Sequence, residues 1–221
     1  MFIVLKGVSK WYIEDNGNKV IVFENVNLSI EKGKFVSVIG ESGSGKTTFL
    51  NIIGAIDNVS EGNVIIEGED ITKIDEEVLS EFRNKKVGYV FQNHFLLKGF
   101  NVLENVLMPA MLRKDFSERK FVLRAKELLD FLGIGDKLYR NIDDLSSGER
   151  QRVSIARALI NDPAFVIADE PTGNLDPKNS ELVFSLFYNL VKSLGKTCIM
   201  ATHNMLLAEK TDQIIRLPFN S

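Results

Sequence analysis

The chain has 221 residues, of which 44% are apolar and 26% charged, with a net charge near -3. That length suffices for one well-cored domain carrying a subdomain, and the composition is that of an ordinary globular chain. Lysines and arginines are scattered among acids rather than gathered into a basic stripe, so no nucleic-acid partner is expected; no secretory signal opens the chain, and its apolar runs are too short to cross a bilayer.

In chain order, residues 2–8 and 19–28, the latter ending in Ser29-Ile30, read as strands around a turn at Asp15-Asn16-Gly17-Asn18. A second turn at Lys32-Gly33-Lys34 leads into residues 35–39, a strand apolar enough to be buried on both faces. A tight loop over 40–45 precedes an apolar helix over 46–56, and short strands follow at 62–68 and 87–91. From 101 to 142 the apolar positions recur at helical spacing, as in Val122-Leu123, Ala125, Leu128-Leu129 and Leu132, with a stop expected at Gly133. Alternation then resumes: a helix over 152–159, a strand over 165–168, a helix over 181–193, a strand over 197–202 and a closing strand over 213–217. Cys198 falls within the apolar run of the 197–202 strand and reads as buried filler; a lone cysteine makes no internal disulfide, which fits a reducing cytosol. The pattern implies an α/β fold, a three-layer core around a mainly parallel sheet, with an antiparallel β part at the N-terminus and a helical subdomain. The expected division is a core over 1–92 and 153–221, and a helical subdomain over 93–152.

The segment Gly40-Glu41-Ser42-Gly43-Ser44-Gly45-Lys46-Thr47 fits the pattern G-x-x-x-x-G-K-S/T, between an apolar strand and a helix. Glycines let successive N–H groups turn inward around phosphates, and the helix adds its N-terminal donors. Lys46 is suited to reach the β- and γ-phosphates and the Thr47 hydroxyl to ligate Mg²⁺. Gly40, Ser42, Gly43, Ser44, Gly45, Lys46, Thr47 and Thr48 are the expected phosphate-binding set. A dinucleotide site of the Rossmann kind is disfavoured, because that motif lacks the lysine and hydroxyl.

The strand over 165–168 runs into Asp169 and Glu170. Parallel sheets place ligands at such strand ends. Asp169 is suited to hold Mg²⁺, and Glu170 to polarise a water attacking the γ-phosphate. His203, at the next strand end beside Thr202, reads either as a γ-phosphate sensor or as a structural histidine. Gln92, after the strand over 87–91, is placed to reach metal and water, although a glutamine at a strand exit is common.

Together these residues resemble the nucleotide-binding domain of the ATP-binding cassette (ABC) superfamily over nearly the whole chain. The distinguishing segment is Leu145-Ser146-Ser147-Gly148-Glu149, similar to the family signature Leu-Ser-Gly-Gly-Gln, with Ser147 and Glu149 as departures. The resemblance implies ATP hydrolysis with Mg²⁺ in a head-to-tail homodimer, in which Ser146 and the amides around Gly148 complete the partner's site. Ser146 also sits where a helix cap is expected, so its hydroxyl and the nearby amides suit an anion. By the same resemblance Tyr12, ahead of Trp11, stacks on adenine. Gln92 carries the loop that touches metal and permease, Asn174-Leu175-Asp176 is the loop crossing the dimer interface, and His203 is the switch histidine. Glu170, His203, Gln92 and Lys46 would be the catalytic set, and Thr47, Gln92 and Asp169 the metal set.

The run from Ala168 to Asp176 and the run Gly148-Glu149-Arg150-Gln151-Arg152 look like the branch of lipoprotein-release, macrolide-export and antimicrobial-peptide-resistance ATPases. The implied partner is a transmembrane permease with few membrane helices and a large extracytoplasmic domain, and the implied location is peripheral, on the cytoplasmic side of the membrane. The residues near 92–97 would meet that permease, though this apolar run also reads as plain packing. Members often continue with a turn and another strand beyond the point where this chain stops, at Ser221. The rival readings are a soluble ABC ATPase of iron-sulfur assembly or another mechanical role, a regulatory module without turnover, and a P-loop kinase. Intact Glu170, Gln92 and His203 argue against the second, and the signature segment against the third.

Overall fold

The computed structural model describes residues 1–219. Its elements are β1 (Ile3–Ile13), β2 (Lys19–Ile30), β3 (Phe35–Ile39), α1 (Lys46–Ile53), β4 (Glu61–Ile66), β5 (Glu69–Asp70), α2 (Glu76–Lys86), β6 (Val87–Val90), α3 (Val102–Met111), α4 (Glu118–Phe131), α5 (Ser147–Leu159), β7 (Phe165–Asp169), α6 (Pro177–Ser193), β8 (Thr197–Ala201), α7 (Met205–Ala208) and β9 (Gln213–Arg216). Three short 3-10 turns lie between them.

Five strands form a parallel sheet in the order β6-β7-β8-β3-β9. Its central members are almost wholly buried, β3 and β8 at every position, which is why they read as near-continuous apolar runs. Alternation within them divides the interior into two cores. Phe35, Val166, Ala168, Cys198 and Met200 point to one side, where α3, α4, α5 and α6 pack. Val36, Val38, Phe165, Ile167, Ile199 and Ala201 point to the other, where α1 and the second sheet pack. That second sheet is antiparallel, in the order β2-β1-β4-β5.

The architecture is the expected α/β fold, with differences in detail. β1 runs on to Ile13, five residues beyond the expected end, because its more exposed second half still pairs with β2 through Ile13↔Lys19. α1 ends at Ile53 rather than 56: Gly54 caps it, and Ala55 turns back at φ 60°. α5 begins at Ser147, ahead of the expected 152–159 span and directly after Ser146, the expected cap; Ser146 and Glu149 bond each other's backbone N–H. α6 begins at Pro177 rather than 181, capped by Asp176 with proline in its first turn. α2 has no counterpart in the sequence reading, since Leu79 is its one buried residue. Among the described residues no helix is long and apolar enough to cross a membrane.

Candidate functional site

Strand order builds the site. The C-terminal ends of β6, β7, β8 and β3 stand side by side, and each carries one expected functional group: Gln92, Asp169 with Glu170, His203, and the loop from Gly40. A cleft of about 500 Å³ opens over these ends. Ser42, Gly43, Gly45, Lys46, Thr47, Thr48, Gln92, Asp169, Glu170 and His203 line it, together with Val22.

The loop between β3 and α1 folds as its composition dictates. Gly43 and Gly45 take φ of 79° and 90°, a left-handed backbone that favours glycine. A Cβ on Gly45 would also lie 2.5 Å from Val22 Cγ1, and one on Gly40 would lie 2.5 Å from Ser44 Oγ and 2.7 Å from the Leu217 carbonyl oxygen. The ammonium of Lys46 donates to the carbonyls of Gly40 at 2.8 Å and Glu41 at 2.9 Å, holding the charge at the loop mouth. α1 starts without a side-chain cap, because its cap residue is Gly45, so its first N–H groups are left for an anion. The buried Ser44 hydroxyl finds no partner among the described residues, a second sign that the loop is shaped for a ligand.

At the acid end, Thr47 Oγ1 donates to Asp169 Oδ2 at 2.9 Å, which puts a hydroxyl and a carboxylate together. Hard oxygens of this kind suit Mg²⁺, which takes one or two protein ligands and fills its octahedron with phosphate and water. Among the described residues no group of three or more His, Cys, Asp or Glu side chains could hold a metal unaided. Glu170 adopts φ 44°, unusual for a residue with a side chain. Its amide donates to the Ala201 carbonyl at 3.0 Å, and its Oε2 lies 2.9 Å from His203 Nδ1 and accepts from the His203 amide at 3.3 Å. The carboxylate is largely covered, while the histidine is 70% exposed, so the imidazole lies over it on the solvent side.

Gln92 is held from the far side of the cleft. Its side-chain nitrogen donates to Asn174 Oδ1 at 3.4 Å, and Asn174 Nδ2 donates to the Gln92 carbonyl at 3.0 Å and to Asn93 Oδ1 at 3.4 Å. Asn174 therefore ties the loop after β6 to the loop after β7. Sequence reasoning placed Asn174 in the loop expected at the dimer interface, without this tie to Gln92, and missed Val22 altogether. An apolar residue in a partly exposed strand carries no motif, and its part appears only when β2 folds beside Gly45.

The remaining expected residues lie outside this cleft. Ser146 and Gly148 stand at the start of α5, where Ser146 Oγ is 2.9 Å from Glu149 Oε2 and Glu149 also pairs with Lys137. Asp176 caps α6, accepting from the Asn179 amide at 3.2 Å and its side chain at 2.5 Å; the two Asn179 hydrogen bonds hold its carboxyl below the usual range. Gly148 lies close to that same Asn179, so the starts of α5 and α6 form one patch. Tyr12 lies beyond the rim of the cleft, near Thr48. Its hydroxyl donates to Asp57 Oδ2 at 2.8 Å, and burial chiefly raises its pKa. Burial opposes ionisation of Asp57, but hydrogen bonds from Lys10 and Tyr12 outweigh it and bring the carboxyl below its ordinary value. Trp11 faces the opposite side of β1, beneath Lys19 at 3.6 Å.

A family model described as ABC transporter matches residues 23–173. An uncharacterized ABC transporter ATP-binding protein of Thermotoga maritima is 43% identical over 215 residues, covering 97% of this chain and 91% of that protein. The lipoprotein-releasing system ATP-binding protein LolD of Treponema denticola is 41% identical over 210 residues, covering 95% and 92%. Among solved structures, the dimeric structure of MJ0796, described as a bacterial ABC transporter cassette, superposes with a TM-score of 0.87 at 39% identity and covers 97% of this chain and 94% of that one.

Proposed function

This chain belongs to the ABC transporter family, as an ATP-binding and ATP-hydrolysing subunit, and we propose that it acts as a head-to-tail homodimer driving a membrane permease of the lipoprotein-releasing kind. The observation that carries the reading is the row of strand ends bringing Gln92, Asp169, Glu170, His203 and the Gly40 loop around one cleft.

In that cleft the loop amides and Lys46 hold the triphosphate, and Thr47 with Asp169 holds Mg²⁺, with Gln92 alongside. When bound, the metal neutralises charge on the β- and γ-phosphates. Glu170 accepts a proton from the water that attacks the γ-phosphorus, as the bond to the ADP oxygen breaks and phosphate leaves. His203 keeps the Glu170 carboxylate aimed, and Tyr12 takes the adenine ring.

The donors that line the cleft of one copy come from the Gly40 loop, the start of α1, Gln92 and His203. Ser146 and the first amides of α5 form a further donor set, yet they lie elsewhere on the same chain. A second copy, related by a two-fold axis, would bring them over the γ-phosphate and Asp176 to the interface. The relative MJ0796 is described as dimeric. Loss of phosphate then removes the charge joining the two halves, and a permease with different affinities for closed and open dimers changes state.

For the permease, a groove of about 440 Å³ lies between α2, β6, α3 and α5, lined by Tyr89, Phe91, Phe95, Met108 and Leu112 among others. Phe95 and Leu97 are exposed beside it, which suits an apolar helical segment reaching down from the membrane. The protein would then work peripherally on the cytoplasmic face. Affinity capture of Glu170→Gln protein from detergent-solubilised native membranes, with ATP and Mg²⁺, tests this reading. Recovery of a permease with few membrane helices and a large outer domain is expected; recovery of soluble partners alone would favour an assembly role instead.

A further inference from the structure

We propose that Lys10 and Asp57 position Tyr12 as a one-sided platform for the adenine base, so that two residues outside the phosphate cleft set affinity for the nucleoside half of ATP. The inference rests on the reading above in which Tyr12 stacks on the base.

Lys10 and Tyr12 are two apart in β1 and so share a face of the strand. Lys10 is 7% exposed, low for a lysine, and its ammonium is fully engaged. It donates to Asp57 Oδ1 and to the Asn58 carbonyl, both at 2.7 Å, and stands 4.6 Å from the centre of the Tyr12 ring. The other oxygen of Asp57 accepts the phenol proton at 2.8 Å. Asp57 is itself fixed, accepting from the Asn58 amide at 2.8 Å. The ring is thus tied at its hydroxyl and covered by a cation on one face.

One face remains for a planar ligand, and Tyr12 as a whole is 44% exposed. Thr48, which lines the phosphate cleft, lies near the phenol, so the open face borders the site where a bound triphosphate would present its nucleoside. A free tyrosine would lose rotamer freedom on stacking. A ring pinned by Lys10 and Asp57 has already lost it, and the gain appears as affinity.

The test compares binding of ATP and of inorganic tripolyphosphate by calorimetry, in full-length protein and in the variants Tyr12→Ala, Lys10→Met and Tyr12→Phe. Tripolyphosphate reports the phosphate cleft alone. The expected result is that Lys10→Met and Tyr12→Phe each weaken ATP by about three- to tenfold and leave tripolyphosphate unchanged. Tyr12→Ala should lose at least as much, and adding Lys10→Met to it should cost nothing more. ATP affinity unchanged in Lys10→Met and Tyr12→Phe, with Tyr12→Ala still weakened, overturns the proposal while leaving Tyr12 as the base platform. ATP affinity unchanged in Tyr12→Ala overturns the platform reading itself. A parallel loss of ATP and tripolyphosphate in Lys10→Met would make the lysine merely structural and also overturn the proposal.

Discussion

Glu170 combines an uncommon backbone, a covered carboxylate and a histidine partner in one residue. A side chain at φ 44° costs about 1 kcal/mol or more, and such strain concentrates at working sites. Here it turns the carboxylate off the end of β7 and under His203. If Glu170 is the base, Glu170→Gln should slow hydrolysis by about 10²- to 10⁴-fold, measured as single-turnover phosphate release, with ATP affinity within about twofold. Hydrolysis at the wild-type rate would remove the assignment. Most of this chemistry was legible in the sequence, because Lys46, Thr47, Asp169 and Glu170 are marked by spacing and by the apolar strand before each group. Val22 and the tie of Asn174 to Gln92 were not, since each acts by proximity across elements far apart in the chain. The pairing of Tyr12 with Asp57 was equally hidden, 45 positions apart.

Among elements, the hydrogen bonds that join the loops after β6 and β7 all run through Asn174 among the described residues. Asn174→Ala would release Gln92 without touching the phosphate loop. The expected outcome is a loss of kcat of about ten- to a hundredfold with ATP binding nearly unchanged, since small misplacements near the reacting atoms are costly. Equal losses in kcat and in ATP affinity would instead mean that the phosphate site had shifted. A different link holds the N-terminal end of the sheet, where Asp212 accepts the Phe35 amide at 2.6 Å and pairs with Lys192. Burial disfavours that carboxylate, but the Lys192 and Phe35 bonds prevail and lower its pKa. A pKa lowered by folding adds stability above the unfolded value, near 3.9, and loses it as pH falls through the folded value. Asp212→Ala should therefore cost about 1.5–3 kcal/mol in urea unfolding at pH 7, with the difference shrinking toward zero below about pH 4. A difference independent of pH would mean that packing, and not charge, is lost. The strands were legible because β3, β7 and β8 are near-continuous apolar runs. α2 was not, as a helix with one buried residue shows no periodic apolar face, and the start of α6 was set late because its first turn is polar and rests on a cap.

At the scale of the molecule, the parallel sheet separates two cores and lines up four strand ends on one edge. Everything needed to grip a triphosphate lies along that edge, but the donor set at the start of α5 does not. The alternation of strands and helices made the layered core legible, whereas strand order, which decides what meets at the cleft, depends on pairings that no local pattern encodes. In the proposed dimer a second chain completes a site divided in this way, and nucleotide becomes part of the contact. The most direct measurement is the solution mass of Glu170→Gln protein by light scattering, with ATP and Mg²⁺ and then with ADP and Mg²⁺. The account predicts twice the 24.9 kDa chain mass with ATP and the single-chain mass with ADP. A single-chain mass at saturating ATP would contradict it.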